Sequence, residues 1–104
     1  MKHAIAILFL INLFCFSEES AIQITPESKV IVYSNYFWAP CKEAKALLQS
    51  RGIEYEEIKI TFSRKKTEEL AKLSGGTISV PQLIIDGKYF GGLKKLKTYF
   101  SNIK

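Results

Sequence analysis

The stretch from Lys29 to Arg51 constrains the fold of this chain more than any other part of it. Its residues 30–33 are β-branched or aromatic, and the run is too short for a helix and bounded by polar residues, so it predicts a buried strand. From Cys41 onward good helix formers repeat at helical spacing with one apolar face, and Gly52 predicts the end of that helix. A strand therefore passes through a short loop into an amphipathic helix.

Cys41 stands where this helix is predicted to begin, directly after Pro40. Proline suits a first helical turn because its missing N–H would have no partner there in any case. The unpaired N–H groups and the dipole at a helix N-terminus stabilise an anion, and the anion of cysteine is its nucleophilic form. Two interpretations stay open: Cys41 is a reactive thiol, or it is a small apolar side chain that packs beneath the helix.

The composition indicates one globular domain, because 104 residues of which 47% are hydrophobic suffice for a single modest core. Lysine and arginine outnumber acidic residues by 15 to 10, but they are spread along the chain, and Arg64–Lys66 is the only compact cluster. Aromatic residues are not interleaved with the basic ones in a base-stacking pattern. We therefore expect a solvated basic face and no nucleic-acid partner.

Residues 1–17 differ from the rest of the chain and predict a secretory signal peptide. Met1–His3 is a short positive start, and Ala4–Phe16 is an apolar run that is too short to anchor the protein permanently across a bilayer. We expect export, to the periplasm or the exterior, and no membrane attachment after cleavage. Residues 18–28 are polar and predict a linker or a single helical turn, so that the folded domain would span residues 29–104.

Cleavage of this signal would remove Cys15 and His3, which leaves Cys41 as the last cysteine and the chain without histidine. A domain with one cysteine cannot hold an internal disulfide. One thiol without histidine is also a poor basis for a zinc or transition-metal site within one chain. We therefore expect no metal site and no bound cofactor.

Further along the chain, strands and helices continue to alternate. Residues 53–60 predict a second strand, parallel to the first because a helix connects the two by a right-handed crossover. Ser63 can cap a second helix over residues 64–73, which the glycines at 75 and 76 would end. The basic residues at 64–66 oppose the dipole of that helix, and nothing in the sequence explains them.

Asp86 and Gly87 predict a β-hairpin, because this dipeptide fits a type I′ turn in which both residues need positive φ. The two strands would cover residues 82–85 and 88–90. Pro81 opens the first of them without an N–H for the ladder, so we expect it at a sheet edge or at a strained entry to the strand.

Gly91 and Gly92 would break the hairpin's second strand, and apolar residues at helical spacing over residues 93–103 predict a closing helix. The complete order is β-α-β-α-β-β-α, an α/β arrangement. With this order, residues 30–48 and residues 75–92 resemble the glutaredoxin family, within the thioredoxin-like fold.

The resemblance covers nearly all of residues 29–104 and implies a mixed four-stranded sheet flanked by helices. It also implies a cis bond between Val80 and Pro81, which leaves a strand edge free to pair with the backbone of a peptide or of glutathione. The residues that it implies for substrate binding are Trp38, Pro40, Val80, Pro81, Gly91 and Gly92.

The active-site loop departs from the family's C-x-x-C pattern, because it reads Trp38-Ala39-Pro40-Cys41. Trp38 stands where the family has its first, solvent-facing cysteine, and a tryptophan cannot form a mixed disulfide. Reading the loop as a thioredoxin-like phrase with two residues deleted also leaves Cys41 as the second cysteine. The two-thiol cycle therefore cannot run within one chain.

Glutathione recognition also departs from the family. Leu93 and Lys94 stand where members carry a Cys or Ser followed by an Asp that meets the ammonium group of glutathione, and Asn35 replaces a usual Lys. Lys94 would repel that ammonium group and attract a carboxylate instead. We expect glutathione only as a weakened co-substrate, whereas an acidic peptide would be accepted.

Two functions of different kinds fit these residues. In the first, the protein is a glutaredoxin-like thiol–disulfide oxidoreductase whose only catalytic thiol, Cys41, attacks a disulfide-bonded or glutathionylated peptide or protein, and an external thiol resolves the mixed disulfide. In the alternative, it is a catalytically degenerate module that binds a peptide or protein partner, with Tyr36, Phe37 and Trp38 as an exposed aromatic patch beside Pro81.

Overall fold

The computed structural model of the protein describes residues 22–103, and the predicted signal peptide lies outside this range. The seven elements follow the predicted order. They are β1 (Val30–Ser34), α1 (Ala39–Ser50), β2 (Glu56–Lys59), α2 (Arg64–Ser74), β3 (Gln82–Ile85), β4 (Lys88–Gly91) and α3 (Leu93–Asn102). Within this part of the chain, no helix is both long enough and apolar enough to cross a membrane.

The four strands form one sheet in the order β2-β1-β3-β4. β1 and β2 are parallel, with Ser34 opposite Lys59, and α1 provides the crossover between them. β3 runs antiparallel to both of its neighbours, β1 and β4. This mixed four-stranded sheet flanked by helices is the thioredoxin-like fold that the sequence predicted.

Pro81 precedes the strand β3, and the prediction of a sheet-edge position for it is wrong because β3 is an interior strand. The first ladder pair of β3 joins Gln82 to Tyr33, so a residue without an N–H before that pair costs the sheet no hydrogen bond. The peptide bond between Val80 and Pro81 is cis.

Both faces of the sheet are buried, because successive side chains of a strand point to opposite faces. On one face Val32 shares a core with Leu48 of α1 and Leu96 of α3. On the other face Tyr33 shares a core with Leu70 of α2. The sheet is therefore the middle layer, with α1 and α3 on one face and α2 on the other.

The helix ends follow local sequence signals. Ser63 caps α2 by accepting a hydrogen bond from the N–H of Lys66, and Gly75 ends that helix with φ of 77°. Gly52 follows α1 with φ of 70°. α1 itself begins at Ala39, two residues earlier than predicted, because the extended backbone of the preceding residue already acts as its N-cap.

Two strand boundaries differ from the predictions. β2 is shorter than residues 53–60, because the N–H of Ile53 bonds to the carbonyl of Leu48 and so completes the turn after α1. Gly91 does not break β4 but is its last paired residue, opposite Leu83. Gly92 ends the strand and forms the N-cap of α3.

The described part of the predicted linker packs on the domain. Ile24 belongs to the core that α1 and α3 cover, and Ile22 packs against the same core. The N–H of Ile24 donates a 2.9 Å hydrogen bond to the hydroxyl of Tyr99. Two isoleucines that are two residues apart are the apolar signal that the linker assignment overlooked.

One end of the sheet gathers the starts of all three helices. β1, β2 and β4 finish at this end, β3 begins there, and α1, α2 and α3 follow the three strands that finish there. None of these helices has an acidic residue in its first turn. The residues that the sequence singled out for the site all lie at this end of the sheet.

Candidate functional site

Cys41 lies at the third position of α1, and its side chain is only 1% exposed. Its N–H donates a 3.0 Å hydrogen bond to the carbonyl of Trp38, which fixes the first turn of the helix. The side chain is a free thiol. Solvent does not reach the sulfur in this conformation.

Burial raises the pKa of the Cys41 thiol above its ordinary value. A hydrogen bond from the backbone of Asn35 and the ammonium group of Lys45 act in the opposite direction, while the carboxylate of Glu57 adds to the increase. Desolvation outweighs the two lowering contributions, so the raised pKa favours the protonated thiol. A protonated, enclosed thiol is a poor nucleophile.

A polar network lies next to this thiol. The ammonium group of Lys45, one helical turn after Cys41, contacts Oε2 of Glu57 at 2.8 Å, and the hydroxyl of Ser34 donates to the same oxygen at 2.6 Å. Burial alone would raise the pKa of Glu57, but these two hydrogen bonds outweigh it and hold that pKa below its ordinary value. The hydrogen bond to Glu57 correspondingly raises the pKa of Lys45. The ion pair and the hydrogen bond from Ser34 thus link α1, β1 and β2.

Trp38 connects the helix start to the strand entry. Its indole Nε1 donates a 3.0 Å hydrogen bond to the carbonyl oxygen of Val80, and the side chain is half exposed. The resemblance implied a backbone edge at Val80 that is free to pair with a substrate. In the structure the carbonyl of Val80 already accepts the hydrogen bond from the Trp38 indole. Beside the hydrogen bond lies a cleft of about 300 Å³, lined by Asn35, Trp38, Ile78, Ser79 and Val80.

Gly92 permits a close approach between the start of α3 and the Pro81 loop. A Cβ atom added at Gly92 would lie 3.0 Å from the carbonyl oxygen of Pro81. Gly91 is buried and has φ of 137°, a conformation that side-chain-bearing residues rarely adopt. The absence of a side chain at Gly92 therefore lets the backbone at the start of α3 pack closely against the strand entry. Lys94, two residues further on, is exposed.

The structure thus brings the predicted residues together in two contacts. Trp38 meets Val80, and Gly92 meets Pro81, while Pro40 is half-buried in the first turn of α1. The ion-paired network around Glu57 was missed, although the spacing of Lys45 and Cys41 on one helix was a usable signal. Within residues 22–103 no group of three or more potential metal-binding side chains occurs.

The exposed aromatic residues predicted beside this site are confirmed as exposed. Tyr36, Phe37 and Trp38 lie in the loop between β1 and α1, and Phe37 is 93% exposed. A further phenylalanine, Phe62, lies in the loop between β2 and α2 and is 100% exposed. The sequence analysis did not single out Phe62, because one aromatic residue in a polar loop carries no periodic signal.

A four-stranded mixed sheet, a cysteine in the first turn of the helix after β1 and a cis proline before the facing strand define a thioredoxin-like protein. The family model described as Glutaredoxin matches residues 30–90 of the chain. The chain belongs to the glutaredoxin family. Family and fold together support a thiol–disulfide oxidoreductase-like module.

Individual relatives agree with this assignment. Glutaredoxin 1 of Rickettsia conorii is 40% identical over 68 residues, which cover 64% of this chain and 67% of that protein. Glutaredoxin 3 of Escherichia coli K12 is 39% identical over 69 residues, which cover 66% of this chain and 82% of that protein. The solution structure of a glutaredoxin from Brucella melitensis matches with a TM-score of 0.62 and 28% identity, over 76% of this chain and 85% of that one.

Proposed function

We propose that this member of the glutaredoxin family acts as a binding module for a peptide segment of a partner protein and does not turn over disulfides through its own thiol. The observation that carries the proposal is the 1% exposure of Cys41, beneath a loop in which Trp38 stands at the family's attacking position. Exchange requires a thiolate that reaches the substrate sulfur. An enclosed thiol with a raised pKa meets neither requirement.

The binding surface consists of the aromatic side chains beside the cleft. Tyr36, Phe37 and Trp38 are exposed on consecutive positions, and exposed aromatic residues are common anchors of protein interfaces. Val80 lies at the cleft, and among residues 22–103 its N–H forms no hydrogen bond with another backbone group. An extended peptide can accept from this N–H and, by displacing the Trp38 indole, donate to the carbonyl.

A second candidate is the single-thiol oxidoreductase, and one observation favours it. The backbone of Asn35 and the ammonium of Lys45 both lower the pKa of Cys41, so an opening of the Trp38 loop that removed the burial would leave these groups to stabilise the thiolate. The Cys41 thiolate would then attack a disulfide of a peptide or of a glutathionylated protein, form a mixed disulfide and release a thiolate. An external thiol would reduce that mixed disulfide and restore Cys41.

Glutathione is the weaker choice for this external thiol, because Lys94 is exposed near the strand entry and would repel its ammonium group. The expected export of the protein belongs to the same proposal, and in an exported protein the partner would be encountered outside the cytoplasm.

Turnover of a mixed disulfide between glutathione and a small thiol separates the two candidates. The assay compares the wild type with Cys41→Ser and with Trp38→Cys, a variant that supplies a thiol at the family's attacking position. We expect no turnover above background for the wild type or Cys41→Ser, and measurable turnover for Trp38→Cys.

Turnover by Trp38→Cys would show that the assay detects activity on this scaffold. The absence of turnover in the wild type would then support the binding module. Wild-type turnover that disappears in Cys41→Ser would refute the binding module and establish the single-thiol oxidoreductase.

A further inference from the structure

Two phenylalanines occupy equivalent positions before two helices. Phe37 lies directly before the N-cap of α1, and Phe62 lies directly before Ser63, the N-cap of α2. Both have φ of 63° and are 93% and 100% exposed. An apolar residue at this position usually packs against the fourth residue of the helix. Here those residues are Lys42 and Thr67, and the rings point into solvent instead.

The loops that carry the two rings are joined. The hydroxyl of Thr61 accepts a 3.0 Å hydrogen bond from the N–H of Tyr36 and donates one of 3.0 Å to Oδ1 of Asn35. The N–H of Ile60 also bonds to the carbonyl of Ser34 at 2.9 Å. The two rings are therefore carried by neighbouring, hydrogen-bonded loops, which form the surface at the ends of β1 and β2.

Basic residues frame this surface. The ammonium group of Lys59 lies 4.2 Å from the centroid of the Tyr36 ring, a cation–π contact. Arg64 and Lys65, the first two residues of α2, are exposed, and within residues 22–103 neither forms an ion pair. Lys66 is the partly neutralised member of the cluster, because it lies 3.7 Å from Glu69.

Both features work against stability. A left-handed backbone is unfavourable for a residue with a bulky side chain, and Phe62 gains no burial in return. Cations in the first turn of α2 oppose its dipole, and no acidic residue in that turn offsets them. Two adjacent features that each lower stability indicate a surface shaped by a partner.

We propose that this surface binds an acidic segment of a partner protein, with apolar side chains of the segment on the rings and carboxylates on the cations. The cationic aromatic surface consists of Tyr36, Phe37, Lys59, Phe62, Arg64 and Lys65. The inference rests on the binding function argued above and specifies the chemistry of the partner. Aromatic side chains supply contact area, and unpaired cations select the sign of the partner's charge.

The adjoining cleft favours a peptide over a lipid bilayer as the partner. The cleft of about 300 Å³ at Val80 is also lined by Asn35 and Trp38, which lie in the loop that carries Phe37. It can hold a side chain of the peptide. The Val80 N–H offers a backbone hydrogen bond, which an extended peptide uses and a membrane surface does not.

The test uses the full chain and three probes: a decapeptide of alternating Glu and Val, its counterpart with Lys in place of Glu, and vesicles of phosphatidylglycerol. Trp38 is the only tryptophan and directly follows Phe37, so its fluorescence reports on binding next to the cationic aromatic surface. We expect the acidic peptide to bind at least ten times more tightly than the basic one, and its affinity to fall as salt is added.

Charge reversal locates the binding surface. The double variant Arg64→Glu with Lys65→Glu should weaken binding of the acidic peptide at least tenfold. The matched control, Lys29→Glu with Lys88→Glu, reverses two exposed lysines at the opposite end of the sheet and should leave binding within twofold. Phe62→Ala, which removes a fully exposed ring, should weaken binding several-fold, and thermal unfolding checks that each variant is folded.

Equal binding of the two peptides, or equal losses in the two double variants, would overturn the inference. Binding to the vesicles alone would replace the peptide by an anionic membrane and equally overturn it. Failure of the proposed function has a different readout, which is wild-type turnover through Cys41 in the mixed-disulfide assay.

Discussion

The indole Nε1 of Trp38 donates a 3.0 Å hydrogen bond to the carbonyl oxygen of Val80, across 42 positions of sequence. This bond joins the start of α1 to the entry of β3 and holds the indole against the residue that precedes the cis proline. Under the binding function proposed above, a peptide that donates a hydrogen bond to the Val80 carbonyl has to displace this indole.

The hydrogen bond of Trp38 should restrain the loop above Cys41. Trp38→Phe keeps an aromatic ring and removes the donor, which corresponds to about 0.5–1.5 kcal/mol for a typical hydrogen bond. We expect alkylation of Cys41 by iodoacetamide to become about 2- to 10-fold faster, as measured by mass spectrometry of the peptide that contains Cys41. The control is Phe37→Leu, because Phe37 is an exposed neighbour whose side chain forms no hydrogen bond. This variant should leave the alkylation rate unchanged. Equal rates in Trp38→Phe and the wild type would contradict the restraint.

The ion pair beside the thiol should give a characteristic pH dependence. Because the pKa of Glu57 is lower in the folded protein than its ordinary value of 4.5, its contribution to stability is present above that value and is lost as the pH falls through the folded pKa. Glu57→Gln should lower the free energy of unfolding at pH 7 by about 1–3 kcal/mol. The difference from wild type should shrink toward pH 3 in denaturant titrations.

A matched substitution identifies the cause. Glu54→Gln removes a carboxylate that is exposed and unpaired within residues 22–103, so it should change stability little at either pH. A loss in Glu57→Gln that stayed constant from pH 7 to pH 3 would show that the ion pair is not its source.

The left-handed backbone at Phe62 gives a prediction about stability alone. Phe62→Gly and Phe62→Ala remove the same exposed ring, but only glycine tolerates φ of 63° without steric cost. We expect Phe62→Gly to be more stable than Phe62→Ala by about 1 kcal/mol in denaturant titrations. Equal stability of the two variants would mean that this residue is not strained in solution.

The close approach at Gly92 should not tolerate a side chain. Gly92→Ala places a methyl group 3.0 Å from the carbonyl oxygen of Pro81, which the strand entry can relieve only by moving. We expect a loss of about 1–3 kcal/mol in the free energy of unfolding and a change in Trp38 fluorescence, because Trp38 bonds to the same loop. An unchanged fluorescence spectrum would show that Gly92 does not influence the surroundings of Trp38.

The sequence predicted the architecture because its signals are local. The apolar run of β1, the Asp86–Gly87 turn and the Ser63 cap each act within a few residues, and Asp86 and Gly87 do have the positive φ that the turn requires. Ile24 escaped prediction because its burial depends on Tyr99, which is distant in sequence. The interior position of Pro81 depends on strand order, which local patterns do not encode.

The contact between the start of α1 and the entry of β3 was predictable from the sequence, but the burial of Cys41 was not. The motif indicated which residues meet, yet the exposure of Cys41 depends on how tightly the first turn of α1 packs, and a helix N-terminus is compatible with either outcome. The ion pair of Lys45 and Glu57 depends on the register between β1 and β2. The position of the Trp38 indole depends on a single hydrogen bond to a distant carbonyl.

The alkylation rate of Cys41 in the native wild-type protein tests the central claim most directly. At pH 8, with iodoacetamide and quantification of the Cys41 peptide, we expect the native rate to be about 100-fold or more below that of the guanidinium-unfolded chain, because reaction must await local opening. A native rate equal to the unfolded rate would show that the thiol is open to solvent and would contradict the account.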